Sequence, residues 1–259
     1  MPAARTADIS IDVVIPVLNE AHVLAHSVER VSRYLETNLP YSWRIVVVDN
    51  GSTDGTHEIA RSLTEDNGRV RLLRLNEPGR GRALRVAWLQ SDASAVCYMD
   101  VDLSTDLDEL PRLLRAVVEE GYDVAVGSRL APGARVRRSF KREMISRLYN
   151  LFLKLVLSTG FSDAQTGFKA LTRDAVQRIV PQVEDESWFF DTELLALAES
   201  QGLRIKDMPV VWSEDDDSRV KILRTAWDDI RGALRVRRRL RGSRRAADGV
   251  VVSPRRRAG

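Results

Sequence analysis

The sequence predicts an α/β fold in which a mostly parallel sheet lies between layers of helices. Two observations predict it. Strand-like runs alternate with segments of helical periodicity, which is the order of βαβ units. The composition, with 44% hydrophobic and 30% charged residues among 259, is that of an ordinary globular protein and excludes disordered, collagen-like and disulfide-rich classes. The single cysteine, Cys97, lies in an apolar run, which indicates a buried, reduced thiol.

The predicted elements alternate regularly as far as Gly127. Five runs of branched and aromatic residues are predicted as strands, and the segments between them carry apolar residues at helical spacing. The predicted strands are Ile9–Ile15, Trp43–Val48, Val70–Leu75, Ala95–Met99 and Asp123–Val126, and the predicted helices are Glu20–Glu36, Asp54–Leu63, Gly81–Gln90 and Leu107–Glu119.

After Gly127 the alternation changes, because a loop rich in Gly, Pro and Arg leads into a long apolar helix. The predicted elements of this part are the helix Lys141–Leu157, the strand Gly167–Leu171, the helices Arg173–Ile179 and Phe190–Ser200, the strand Arg204–Val211 and the helix Val220–Leu240. We expect residues 1–240 to form one domain and residues 241–259 to form a basic, disordered tail.

Charge is distributed unevenly along the chain. Arg235–Gly259 holds ten Arg and one acid, Asp248, whereas the rest of the chain has 30 basic and 36 acidic residues. Such a basic run is most often a solvated, poorly ordered end, and contact with RNA or with an anionic membrane surface is the alternative. We expect no binding of nucleic acid, because the positive charge does not belong to the globular part.

No segment of the sequence approaches the roughly 18 consecutive apolar residues that a membrane span requires. The N-terminus lacks the pattern of a signal peptide, since the apolar run Ile9–Val17 is short and is interrupted by Asp12 and Pro16. We therefore expect a cytoplasmic protein without a transmembrane segment.

Polar residues follow the second predicted strand. Val46–Val48 leads to Asp49 and the loop Asn50–Thr56, and ligands of open α/β sheets collect at such carboxyl ends of strands. A capped turn that uses Ser52 or Thr53 explains the loop but leaves Asp49 unexplained. The sequence therefore favours a nucleoside-binding role for Asp49, by a hydrogen bond to a ribose hydroxyl or a base N–H.

Two acids follow the fourth predicted strand. Asp100 and Asp102 are separated by one residue, so in an extended segment both carboxylates face the same side. Hard oxygen ligands of this kind suit Mg²⁺ or Mn²⁺, which fill the rest of their coordination shell with water and substrate phosphates. The pair therefore predicts a divalent metal site at this edge of the sheet.

Taken together, these segments resemble inverting nucleotide-sugar glycosyltransferases of family 2, which have the A-type fold. The similarity is to the subgroup that transfers a hexose to dolichyl or another polyprenyl phosphate, with the β-glucosyl branch most similar and the mannosyl branch close. The residues that carry it are Ile15-Pro16-x-x-Asn19-Glu20, Val48-Asp49-Asn50-Gly51-Ser52-x-Asp54, Gly79-Arg80-Gly81-Arg82-Ala83, Asp100-Val101-Asp102, Gly127-Ser128-Arg129, Asp163-x-Gln165-x-Gly167-Phe168-Lys169, Trp188–Leu195, Pro209-Val210-x-Trp212 and Ser218-Arg219-Val220.

The resemblance implies roles for most of these residues. It makes Asp191 and Asp102 catalytic, with Asp191 as the carboxylate on the acceptor side and Asp100 and Asp102 on the metal and the diphosphate. Asn50 departs from the family pattern, in which a second Asp is common, and Arg80 replaces the usual Lys. The residues assigned to the nucleotide sugar are Pro16, Asn19, Glu20, Asp49, Gly51, Ser52, Arg80 and Asp100.

A basic segment leads into the long apolar helix. Seven cations and one acid, Glu143, lie between Arg129 and Arg147, and Arg is suited to bidentate contact with phosphate. The helix from Met144 to Leu157 carries only a narrow polar stripe, so it is either buried nearly all round or lies at a membrane surface. The residues assigned to the acceptor phosphate are Ser128, Arg129, Arg135, Arg137, Gln165, Lys169, Ser218 and Arg219.

The function expected from the resemblance is metal-assisted transfer of a hexose, glucose, from a nucleoside diphosphate sugar to polyprenyl phosphate, with inversion, by a protein peripheral to the inner face of the membrane. A phosphate monoester with its second pKa near 6 is already an anionic nucleophile, so no strong general base is required. Three alternatives stay open: mannosyl transfer from GDP-mannose, a soluble hydroxyl acceptor, and a protein that binds nucleotide or metal without turnover.

Overall fold

The computed structural model describes residues 9–213 and 222–249. In chain order the elements are β1 (Ser10–Val17), α1 (Leu24–Asn38), β2 (Ser42–Asn50), α2 (Thr56–Asp66), β3 (Val70–Leu75), α3 (Arg80–Gln90), β4 (Ala95–Met99), α4 (Leu110–Val118), β5 (Val124–Ser128), β6 (Arg135–Arg137), α5 (Phe140–Leu157), β7 (Phe168–Thr172), α6 (Arg173–Ile179), α7 (Phe190–Ser200), β8 (Ile205–Pro209), β9 (Val211–Ser213) and α8 (Ile222–Gly249).

Seven strands form one sheet in the order β3-β2-β1-β4-β7-β5-β8. All neighbours pair in parallel except β7, which runs antiparallel to both β4 and β5. A second, two-stranded parallel sheet joins β6 to β9. The carboxyl ends of β1, β2, β4 and β5 therefore meet at the edge where β7 begins, and the loops of that edge carry the residues singled out by sequence.

The core lies on both faces of the large sheet, because successive strand residues point to opposite sides. Val14 and Tyr98 point to the face covered by α3 and α5–α8, and this cluster includes Leu84 of α3 and Leu194 of α7. The other face packs against α1, α2 and α4, with Ile15 at its centre. The predicted α/β fold, a mostly parallel sheet between helices, is confirmed.

Some boundaries and small elements differ from the sequence-based expectation. The strands β6 and β9 were not predicted, because three-residue strands leave no periodic signal. The last helix, α8, ends at Gly249 rather than near Leu240. Residues 250–259 of the predicted tail lie outside the described residues, and the division at residue 240 stays a prediction. None of the helices in the described ranges is long and apolar enough to cross a membrane.

Candidate active site

The loops after β1 and β2 are bonded to each other. Asn19, in the left-handed region with φ 57°, donates its backbone N–H to Ser52 Oγ at 3.0 Å and accepts from the backbone N–H of Thr53 at 2.8 Å. The backbone N–H of Glu20 donates to Thr56 Oγ1 at 2.8 Å. These bonds hold the loop that contains the predicted nucleoside-binding residues as one unit.

Asp49 lies at the base of this loop and is fully buried. Its Oδ1 accepts from the backbone N–H of Ser52 at 2.9 Å, and its Oδ2 lies 3.1 Å from His57 Nδ1. Arg74 Nε is 3.9 Å from the same oxygen. Asp49 therefore fixes the start of this loop through buried hydrogen bonds. His57, which contacts Asp49, was not selected by the sequence reasoning.

Two further predicted residues shape the same loop. Gly51 has φ 81°, a left-handed conformation that favours glycine, so it allows the turn directly after β2. Pro16 stands beside Val48 in the parallel register of β1 and β2. The side-chain oxygen of Asn50 accepts from the backbone N–H of Gly79 at 2.9 Å, which ties the loop to the start of α3.

Arg80, the first residue of α3, faces the end of β4. One guanidinium nitrogen lies 2.7 Å from Asp100 Oδ1 and the other lies 3.7 Å from Asp191 Oδ2. The guanidinium also stacks over Trp188, 4.8 Å from the ring centroid, a favourable cation–π contact. Arg80 therefore joins the strand-end acid to the start of α7.

A buried polar cluster continues from Arg80 into the protein. Asp191 Oδ1 accepts from the hydroxyl of Tyr98 and from Lys169 Nζ at 2.9 Å, and all three residues are almost completely buried. Burial lowers the pKa of Lys169, and the Asp191 charge opposes this shift. Burial also raises the pKa of Tyr98 well above its ordinary value. The Asp191 carboxylate is therefore enclosed by donors.

Asp100 and Asp102 differ in exposure. Burial raises the pKa of Asp100, with Arg80 opposing the shift and Asp102 adding to it. Asp102 is exposed, and its Oδ1 accepts from the backbone N–H of Ser104 at 2.9 Å. A Cβ at Gly167 would lie 1.8 Å from Asp100 Oδ2, so the glycine leaves the space that this carboxylate occupies.

Asp100 and Asp102 are the residues that would hold the divalent metal implied by the resemblance. In the ranges that the structure describes, three or more His, Cys, Asp or Glu side chains do not gather into a metal site. Two carboxylates at an open strand end fit an ion that takes most of its ligands from water and phosphates, as Mg²⁺ does. They do not fit an ion caged by protein alone.

Ser128 and Arg129, at the end of β5, bond within the protein. Ser128 Oγ accepts from the backbone N–H of Ala131 at 2.9 Å. The Arg129 guanidinium makes two bonds to the buried Asp163, at 2.7 and 2.9 Å. Burial raises the pKa of Asp163, but the Arg129 charge outweighs it and the net shift is downward. The charge of Arg129 is therefore balanced by a partner already.

The other predicted acceptor residues separate into three places. Arg135 and Arg137 are exposed on β6, Lys169 belongs to the Asp191 cluster, and Gln165 Nε2 donates to Asp229 Oδ2 of α8 at 3.2 Å. Asp229 is a second residue that the sequence reasoning did not select. Ser218 and Arg219 lie outside the described residues.

The arrangement of acids and cations at one sheet edge agrees with a comparison against protein families. A model described as "Glycosyl transferase family 2" matches residues 12–180, a range that contains the β1 and β2 loops, Arg80, the Asp100–Asp102 pair and Lys169. The chain belongs to glycosyl transferase family 2. The predicted enzyme class, glycosyltransferase, is thereby confirmed.

Curated members of the family are similar over most of this chain. The glycosyltransferase AglD of Haloferax volcanii is 37% identical over 226 residues, which are 86% of this chain and 36% of that protein. A dolichyl-phosphate beta-glucosyltransferase of Drosophila melanogaster is 30% identical and covers 82% of this chain and 69% of that protein. The chain thus spans only about a third of the length of AglD.

Solved structures of one other enzyme share the fold. Glucosyl-3-phosphoglycerate synthase from Mycobacterium tuberculosis, in complex with UDP, superposes with a TM-score of 0.67 at 20% identity, over 88% of this chain and 80% of that one. The same enzyme was also solved with Mn²⁺, UDP and phosphoglyceric acid, and it superposes with a TM-score of 0.67. At this identity the similarity supports the A-type fold alone.

Proposed function

We propose that this glycosyltransferase transfers glucose, with inversion, from a nucleoside diphosphate sugar to a polyprenyl phosphate. The observation that carries the proposal is the charge arrangement at the end of β4, where Asp100, Asp102 and Arg80 meet at an open edge. Dolichyl-phosphate beta-glucosyltransferases among the similar proteins support the acceptor and the sugar. The complex of the superposed enzyme with Mn²⁺ and UDP-glucose supports the donor and the metal.

On the donor side, we assign the nucleoside to the bonded loops of β1 and β2. Asn19 and Ser52 fix the path of these loops, and Asp49 fixes their base. A loop that is held in this way is ordered before the nucleoside arrives, so binding orders fewer groups and costs less conformational entropy.

At the diphosphate, Arg80 is a permanent cation that bonds Asp100. A divalent ion held by Asp100 and Asp102 would supply further positive charge to the leaving diphosphate. Asp100 orients the Arg80 guanidinium through one nitrogen. Asp191 Oδ2 lies 3.7 Å from the other terminal nitrogen. The protein therefore keeps a fixed positive group beside the place where negative charge develops, which is an effective form of transition-state stabilisation.

On the acceptor side, a phosphate monoester requires little help to react. Its second pKa near 6 leaves an oxyanion at neutral pH, so Asp191 need not accept a proton. We assign to Asp191 the task of orienting Arg80 and Lys169 from inside the protein. Arg135 and Arg137, exposed on β6, are the cations that we assign to the acceptor phosphate.

The test is transfer of labelled sugar into a lipid. The protein is incubated with Mg²⁺ or Mn²⁺, with labelled UDP-glucose or GDP-mannose, and with a polyprenyl phosphate or a soluble hydroxyl acceptor, and the product is extracted into organic solvent. We expect label from UDP-glucose in the organic phase. Label from GDP-mannose would favour mannosyl transfer, and label only in aqueous product would favour a soluble hydroxyl acceptor. No transfer at all would favour a protein that binds nucleotide or metal without turnover.

A pair of variants tests the acceptor assignment. Arg135→Ala/Arg137→Ala should raise the KM for polyprenyl phosphate by about tenfold and leave the KM for the nucleotide sugar nearly unchanged. Arg71→Ala, which removes another exposed arginine from β3, is the matched control and should change neither constant. If both constants rise together in the double variant, β6 contacts the donor instead.

A further inference from the structure

One face of α5 is apolar and exposed. Its opposite face is buried through Asn150, Leu153 and Leu157. Of the two environments expected for this helix, burial nearly all round is therefore wrong. Spacings of three and four residues place the exposed side chains on a single stripe. Their exposed fractions are 78% for Phe140, 44% for Met144, 59% for Leu148, 53% for Leu151 and 73% for Leu155.

The neighbouring helix, α8, also exposes apolar side chains. α8 packs against α5 and exposes Trp227, Ile230 and Leu234 by 58%, 36% and 42%, again at spacings of three and four. We call these eight residues the α5–α8 apolar surface. Soluble monomers seldom expose so many large apolar side chains on adjacent elements without a partner.

Exposed cations lie beside the α5 part of the α5–α8 apolar surface. Lys141 and Lys154 are exposed on α5, and Arg135 and Arg137 are exposed on β6 directly before it. Lys154 acts electrostatically on Asp207. An apolar stripe bordered by exposed Lys and Arg is complementary to the acyl chains and anionic headgroups of a lipid surface.

A second copy of the chain fits this surface less well. Face-to-face association would bring the same Lys and Arg residues of both copies together, and like charges in contact are unfavourable. The location also favours a lipid. The segment after α5 carries Asp163, Gln165 and Gly167, which contact Arg129, Asp229 and Asp100. The exposed helix is therefore directly connected to the candidate active site.

We propose that the α5–α8 apolar surface docks on an anionic lipid bilayer, with α5 lying along the interface between headgroups and acyl chains. This inference goes beyond the proposed function, because it concerns where the protein binds and not what it transfers. It assigns the contact to folded helices, with Phe140, Leu148, Leu155 and Trp227 entering the bilayer.

The experiment is sedimentation of the full chain with vesicles of phosphatidylcholine, with and without phosphatidylglycerol. We expect binding to the anionic vesicles at low salt, and a decrease of at least about tenfold in partitioning for Leu148→Glu/Leu155→Glu, because both apolar side chains leave the interface and two negative charges enter it. Leu89→Glu on α3, which replaces a leucine exposed by 45%, is the matched control and should bind as the wild type does.

A second measurement locates the contact directly. Lipids with brominated acyl chains quench tryptophan that enters the bilayer, so quenching should decrease in Trp227→Phe. Failure of the wild type to bind, equal binding of Leu148→Glu/Leu155→Glu, or unchanged quenching in Trp227→Phe would overturn the proposal. A dimer that Leu148→Glu/Leu155→Glu dissociates, without vesicle binding, would also overturn it and identify the surface as a contact between copies.

Vesicle binding and the proposed function fail separately. Leu148→Glu/Leu155→Glu should keep transfer to a short, water-soluble prenyl phosphate, because neither leucine contacts the candidate active site. Transfer without vesicle binding contradicts the docking surface only, whereas vesicle binding without transfer contradicts the proposed function only.

Discussion

Asp49 and Asp191 are both buried carboxylates near the candidate active site, but their partners come from different distances along the chain. Asp49 is bonded by the backbone of Ser52 and by His57, within eight residues. Asp191 is bonded by Tyr98 and Lys169, from two strands of the central sheet. The first group is a local turn, with Arg74 of β3 3.9 Å from the same carboxylate. The second is a tertiary cluster in which a buried cation balances a buried anion.

The difference explains what each group contributes. The bonds of Ser52 and His57 to Asp49 join residues that are close in the chain, so they depend little on which strands become neighbours. A cluster assembled from β4, β7 and α7 exists only when these strands are paired. Removal of one of its charges leaves the other buried with less compensation, which lowers the stability of the protein strongly. We therefore expect substitutions in the Asp191 cluster to have larger effects on stability than substitutions around Asp49.

The largest effect is expected for Lys169→Met. It removes the cation that contacts Asp191 Oδ1 and leaves Arg80, 3.7 Å from the other oxygen, so it should lower the free energy of unfolding by about 3–5 kcal/mol. Lys206→Met, which breaks the surface pair with Glu120, is the control and should cost about 0.2–1 kcal/mol. Urea denaturation measures both. Recovery of stability in Lys169→Met/Asp191→Asn is expected, and equal costs for Lys169→Met and Lys206→Met would contradict the comparison.

The next effect concerns activity. Asp102→Asn keeps the shape of an exposed side chain and removes its charge, so turnover should fall on the order of 10²-fold or more while the melting temperature stays nearly constant. Asp174→Asn, at the exposed start of α6, should retain full turnover. Unchanged activity of the wild type in EDTA would show that the acids at the end of β4 do not hold a required metal.

Gly167→Ala tests the space around Asp100. The new methyl group would overlap the Asp100 carboxylate, so we expect a loss of about 1–3 kcal/mol in stability and a parallel loss of activity. Gly68→Ala, where nothing lies within 4 Å of the added atom, should be close to neutral. Thermal melts measure the stability of the two variants, and initial rates measure their activity. A fully active Gly167→Ala would show that Asp100 can move.

Asp229 is a buried carboxylate on which the negative charges of Asp185 and Asp228 act unfavourably. Burial raises the pKa of Asp229 to about 6, the two negative charges add to the shift, and the bond from Gln165 only partly opposes it. The folded state therefore holds a proton that the unfolded state has lost, and stability should decrease as the pH rises from about 4 to about 6. Asn at this position cannot ionise, so Asp229→Asn should gain about 1–2 kcal/mol at pH 7. A pH series of urea midpoints measures this, and an unchanged slope would contradict it.

The smallest effect is expected at the local turn. Asp49→Asn retains an oxygen for the backbone N–H of Ser52 and should cost about 1 kcal/mol of stability. If Asp49 also holds the nucleoside, the KM for the nucleotide sugar should rise with little change in kcat. A cost as large as that of Lys169→Met would remove the distinction between the two groups.

Sequence reasoning found the elements and the acids at their ends, because strand and helix periodicity and turn chemistry are local properties. It did not pair Arg80 with Asp100 or Lys169 with Asp191, since these contacts depend on which strands become neighbours. The hydrophobic pattern of Phe168–Thr172 contains no information on direction, so the antiparallel placement of β7 was not foreseen. The narrow polar stripe of α5 was consistent with two environments, and only the packing of α8 and the core showed which side chains remain outside.

The placement of β7 also determines the order in which the sheet can assemble during synthesis. The strands β1 to β4 pair only with one another until β7 is made. β5, in contrast, pairs only with β7 and β8, both of which follow it in the chain. A nascent chain that ends before Phe168 therefore leaves one edge of β4 and both edges of β5 open, and open edges favour aggregation. The addition of β7 closes this gap, so the two halves of the sheet join in one late step.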